Sequence, residues 1–137
     1  FKKTLCESKY MSLISAYFAT LIVFIGLDVF WLGFLMKNFY SNQLGSLTKE
    51  NPHVGVGLIV WALIVFGIFN FVLPLCNTYQ TAIVQGALFG FVLYAVYELT
   101  NYIYLSQWPV NLVAVDTAWG CFICSVAALV GYYLTQR

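Results

Sequence analysis

Residues 13–36 read LISAYFATLIVFIGLDVFWLGFLM, an apolar run longer than the roughly 20 residues a helix needs to cross the hydrocarbon core of a bilayer. Its one charged group is Asp28, in Leu27-Asp28-Val29-Phe30-Trp31-Leu32-Gly33. An ionised side chain at the centre of a span costs about 3 kcal/mol on insertion scales, so such an acid is expected to face a polar cavity or a partner. The stretch has an echo late in the chain, where Val115-Asp116-Thr117-Ala118-Trp119-Gly120 repeats Asp-x-x-Trp. Between them, Tyr97-Glu98-Leu99-Thr100-Asn101 carries a third acid.

The rest of the chain fits the same reading. Of its 137 residues, 62% are hydrophobic and 8% charged, against roughly 25% charged in a soluble domain. The length accommodates four spans and no separate soluble domain, so residues 1–137 read as a single membrane domain. The expected fold is all-α: an antiparallel bundle of four transmembrane helices with both termini on the same side. The spans are placed at about 11–36, 54–75, 80–104 and 109–134, with a polar loop at 38–53. Pro74 is expected to kink or end the second span, because it removes a backbone donor. The short turn Cys76-Asn77-Thr78-Tyr79 makes spans two and three a hairpin.

Ala82, Gly86 and Gly90 recur every four residues in span three, and Gly120, Cys124 and Ala128 do so in span four. Small side chains at this spacing let backbones approach closely where lipid removes the hydrophobic driving force. Both stripes read as packing seams, inside one bundle or between copies. A net charge of +1 gives no basic field for nucleic acid. Cys121 and Cys124 read as small packing residues; no metal site is expected, and no cofactor is implied. Lys2, Lys3, Lys9 and Arg137 outweigh Lys37 and Lys49, which favours termini on the positive side, in a bacterial inner membrane or an organelle inner membrane. The chain opens on Phe1, which reads as a processed or partial product; the flank up to Tyr10 reads as polar.

The three acids share a depth. Asp28 lies nine residues before Lys37, Glu98 six before Tyr104 and Asp116 seven after Pro109. At 1.5 Å per residue this places all three roughly 9 to 14 Å below the loop-side ends of their spans. Helical phase sets Asp28 beside Trp31, Glu98 beside Tyr94 and Asn101, and Asp116 beside Trp119 and Gly120. Indole N–H and phenol O–H groups can satisfy buried carboxylates without a countercharge, and no Lys or Arg lies within any span. The candidate ligand or proton site is therefore Asp28, Trp31, Tyr94, Glu98, Asn101, Asp116 and Trp119. Tyr40, Asn42 and Gln43 could lid it. Trp61 and Trp108, near span ends, read as interfacial anchors, and His53 stands at the loop-to-span boundary.

These motifs resemble the family of small predicted membrane proteins called domain of unknown function 2177. The resemblance rests on Leu27-Asp28-x-x-Trp31-Leu32-Gly33, Phe39-Tyr40-x-x-Gln43-Leu44-Gly45, Tyr94-Ala95-x-Tyr97-Glu98-Leu99-Thr100-Asn101, Trp108-Pro109 and Asp116-x-x-Trp119-Gly120. It runs from about residue 20 to 131 and implies a four-span membrane protein without an established activity. Where the family more usually carries Asp, this chain has Glu98, one methylene longer.

Three readings follow. The first is an intramembrane acidic and aromatic site that binds or passes a proton, a small cation or an amine ligand. The second is an accessory or structural subunit of a larger membrane assembly or homo-oligomer. The third is a lipid-modifying enzyme or its helper, its aromatic cavity accepting an acyl chain. No nucleophile and base pair, histidine cluster or phosphate loop is present, so the sequence leans away from an enzyme without deciding the matter. The bilayer is the partner common to all three, with a homo-oligomer or a larger membrane assembly as the further partner of the second.

Overall fold

The computed structural model describes residues 2–47 and 51–135, with side chains from residue 12 onward. Lys49, Glu50 and Arg137, and the side chains of Lys2, Lys3, Cys6 and Lys9, lie outside the described residues. Among the described residues the regular structure is entirely helical. α1 spans Lys2–Phe30, α2 Lys37–Leu44, α3 Val54–Gly67, α4 Tyr79–Tyr104 and α5 Val110–Thr135. Among the described residues, four stretches are long and apolar enough to cross a membrane: Ser12–Leu35, Val54–Leu75, Tyr79–Tyr104 and Val110–Thr135. The flank before Met11, read as a polar lead-in, is the first part of α1.

Two spans depart from regular α geometry near their ends. α1 passes into a π-helical turn at Trp31–Leu35, which Met36 closes by donating its N–H to the Trp31 carbonyl at 2.9 Å. α3 passes into a second π turn at Ile68–Val72, then a 3₁₀ turn at Leu73–Leu75. Pro74 explains the second case. It has no N–H and its ring crowds the carbonyl four residues back, which belongs to Asn70 within the widened turn. The chain then extends at Cys76 and α4 opens under a capping box. Thr78 Oγ1 accepts from the Thr81 N–H at 3.1 Å, and Thr81 Oγ1 accepts from the Thr78 N–H at 2.9 Å.

The loop between spans one and two holds α2 and a 3₁₀ turn at Gly45–Leu47, where sequence composition suggested only a turn-rich linker. α2 stops at Gly45, whose φ of 46° a residue with a Cβ adopts only at a cost.

α4 and α5 pack antiparallel along the two small-residue stripes. A Cβ on Gly86 would meet the Cys124 carbonyl oxygen at 2.6 Å and Ala128 Cβ at 2.8 Å, and one on Gly90 would strike Gly120. Ala82, Cys124 and Ala128 are fully buried in this seam. Both stripes are thus occupied within one chain. Phe24 of α1, Val65 of α3, Ile68 and Val72 of the second π turn, and Ile123 of α5 complete the core. The Tyr17 hydroxyl donates to the Ala62 carbonyl at 2.8 Å, pinning α1 to α3.

Candidate functional site

The three acids of the spans lie toward the loop side of the bundle, and the described indoles and one phenol are arranged around them. Asp28 is 8% and Glu98 1% exposed, so neither carboxylate has water to rely on and each needs protein donors. Asp28 receives two. Trp61 Nε1 of α3 donates to Oδ2 at 2.7 Å, and Trp119 Nε1 of α5 donates to Oδ1 at 2.9 Å. One carboxylate therefore ties three spans together. Glu98 Oε2 accepts from Trp108 Nε1 at 2.7 Å, the indole coming from the short connection between α4 and α5.

Asp116 is served differently. Its Oδ1 accepts from the Tyr40 hydroxyl, contributed by the loop helix α2. That hydroxyl accepts in turn from Trp31 Nε1 at 3.0 Å. The Glu98 carboxyl is an electrostatic neighbour of Asp116. Polar groups thus succeed one another from Trp31 through Tyr40 and Asp116 to Glu98 and Trp108. Burial, and then the Asp116 carboxyl, hold the Tyr40 phenol above its ordinary value, so it stays an O–H donor throughout the physiological range.

The Asp-x-x-Trp echo is used reciprocally. Trp119, from the second motif, donates to Asp28 of the first; Trp31, from the first, reaches Asp116 of the second through Tyr40. The two indoles stack with centroids 4.2 Å apart and planes 4° from parallel, joining the Asp28 cluster to the Asp116 and Glu98 cluster. The π turn beginning at Trp31 lies at this junction; such turns recur at functional sites.

Every residue placed in the site by sequence lies in or beside this network. The Tyr94 ring packs on Gly120, where a Cβ would strike it, and feels both Asp28 and Asp116. Asn101 stands one helical turn from Glu98, and its Nδ2 is buried without a hydrogen-bond partner. Thr117 Oγ1, next to Asp116, is buried and unpaired as well. Unpaired buried polar groups are rare in proteins, and these two adjoin the same pair of acids. Trp61 and Trp108, read from sequence as interfacial anchors, are both half-buried donors to carboxylates, a role their position near span ends did not signal. Of the suggested lid residues, Tyr40 reaches the acids, whereas Asn42 is exposed and Gln43 half-buried; His53, at the loop-to-span boundary, is exposed and makes no side-chain cap to α3.

A separate groove of about 390 Å³ opens between α3 and α4, walled by Val60, Leu63, Ile64, Phe89, Leu93, Tyr94 and Tyr97. It is apolar apart from two phenols. Among the described residues, no cluster of three His, Cys, Asp or Glu is arranged to hold a metal ion.

Residues 13–133 match the model of a family described as predicted membrane protein (DUF2177). No curated protein and no solved structure matches the chain. The match covers all four spans and the whole acid and indole network, and the chain belongs to the DUF2177 family of predicted membrane proteins.

Proposed function

We propose that the protein carries an intramembrane site that binds or relays a proton or a small cation, amines included, with Asp28, Glu98 and Asp116 as the groups that hold it. The observation that carries this reading is the meeting of Asp116 with the Glu98 carboxyl and the Tyr40 hydroxyl inside a bundle whose spans contain no Lys or Arg. Two neighbouring carboxyls in a low-dielectric setting cannot both ionise cheaply, so a proton or another cation must accompany them. Intramembrane acids of this kind mark proton relays and ion pathways in other proteins. The buried, unpaired Asn101 Nδ2 and Thr117 Oγ1 add polar positions beside the same acids for a water or a ligand atom.

The reading is tested by a pH jump on the purified protein in lipid nanodiscs, with proton uptake followed by an indicator dye. Uptake by the native protein that is lost in Asp116→Asn and reduced in Glu98→Gln supports it. Native protein that takes up no protons and binds no sodium, potassium or methylammonium refutes it.

A second reading, a lipid-handling role, is favoured by the apolar groove between α3 and α4, whose volume falls in the range of small-molecule pockets. Saturable retention of a phospholipid in detergent, abolished by Leu93→Trp, is its test.

A further inference from the structure

A crevice of about 400 Å³ opens on the loop side of the bundle, lined by Leu32, Lys37, Tyr40, Ser41, Leu44 and Gly45. Tyr40 is the residue it shares with the acid network: its ring walls the crevice, and its hydroxyl donates to Asp116. The other polar side chains of the lining are Lys37 and Ser41. A cation approaching Tyr40 along this path passes an ammonium group, and Lys37 and Ser41 are exposed at the outer wall.

We infer that the species exchanged at the acid site is the proton, delivered from the loop side through the Tyr40 hydroxyl. This rests on the proposed function and narrows its ligand from three classes to one. A phenol oxygen with its hydrogen on Asp116 and one lone pair on Trp31 Nε1 keeps a second acceptor position. Transfer then balances in one concerted exchange. The Tyr40 O–H bond breaks as an O–H bond forms on Asp116, while the phenol oxygen takes a proton from a hydronium in the crevice, which becomes water. Tyr40 ends as it began and one proton has moved. No larger cation can use that step, because only a proton passes by making and breaking O–H bonds.

The charged and titratable groups around Tyr40 agree with the direction of transfer. Asp28 from α1, Glu98 from α4 and Asp116 from α5 attract a proton inward, with the Tyr94 phenol among them. Among the described residues, Lys37 from α2 is the lone cation of the crevice lining.

The experiment is proton uptake after a pH jump in nanodiscs, timed by stopped flow, with methylammonium and sodium as competing probes. Tyr40→Phe is expected to slow uptake by at least about tenfold, in line with loss of a positioned proton-transfer group, while the carboxyls still fix the number of protons bound at equilibrium. Asn42→Ala, exposed on the same helix, is expected to leave the rate unchanged. Methylammonium and sodium are expected not to displace protons from the native protein. This arm uses the native chain, so it holds even where Tyr40→Phe disturbs the loop. Uptake by a folded Tyr40→Phe at the native rate overturns the inference, as does displacement of protons from the native protein by methylammonium. In either case, uptake that still depends on Asp116 leaves the acid site standing. Native protein without any uptake overturns both.

Discussion

Gly86→Ala tests the seam that holds α4 and α5 at the distance the site requires. A Cβ there would lie 2.6 Å from the Cys124 carbonyl oxygen, 2.8 Å from Ala128 Cβ and 2.9 Å from Ser125 Cα. Two of these neighbours are main-chain atoms and the third is a Cβ, so none can rotate away. Restoring the 3.4 Å of ordinary contact requires the two helices to part by about 0.8 Å. Overpacking of this kind costs about 1–3 kcal/mol, and replacing a helical glycine by alanine returns at most about 1 kcal/mol. The clash outweighs the propensity gain, and a net loss of up to about 2 kcal/mol is expected. Gly26→Ala is the matched control. No atom lies within 4 Å of its Cβ position, so only the propensity gain applies and the variant should be as stable as the native protein or slightly more so. The assay is unfolding in mixed micelles, read by tryptophan emission. Gly86→Ala at or above native stability would refute the close-packed seam.

Other substitutions probe the donors. Trp108→Phe and Trp61→Phe each remove an indole N–H from a buried carboxylate at 2.7 Å, and each is expected to lose about 1–3 kcal/mol in the same unfolding assay. Residues serving only as interfacial anchors would tolerate the change. Asp28→Asn sets an amide N–H against one of the two indole N–H donors at Asp28; the resulting unpaired donors should cost a similar amount, measurable as a fall in the unfolding midpoint. Thr78→Ala removes the cap of α4 and should cost about 0.5–2 kcal/mol, with no change in proton uptake.

The spans and the depth of the acids were legible in the sequence because both depend on local quantities, hydropathy and rise per residue. Asp28, Glu98 and Asp116 do gather toward the loop side of the bundle. The donors were harder to read. Trp61 and Trp108 sit near span ends, where amphipathic anchors also sit, and only the packing of neighbouring helices decides which carboxylate an indole reaches. Trp119 illustrates the same point: helical phase sets it beside Asp116, yet its N–H crosses to Asp28. The π turn at Trp31–Leu35 could not be anticipated from a regular 100° wheel, since it changes that wheel at the site itself. The small-residue stripes predicted a seam but left its partner open, because an exposed face and an internal one require the same side chains.

We propose that the three carboxyls and their indole and phenol donors form one coupled unit. The most direct measurement is infrared difference spectroscopy of the carboxyl carbonyl band as the nanodisc-embedded protein is titrated, with Glu98→Gln beside the native chain. A coupled site requires that the Asp116 band, assigned by its loss in Asp116→Asn, change its titration when Glu98 is replaced. An Asp116 band whose titration is the same in the native and Glu98→Gln proteins would contradict the claim.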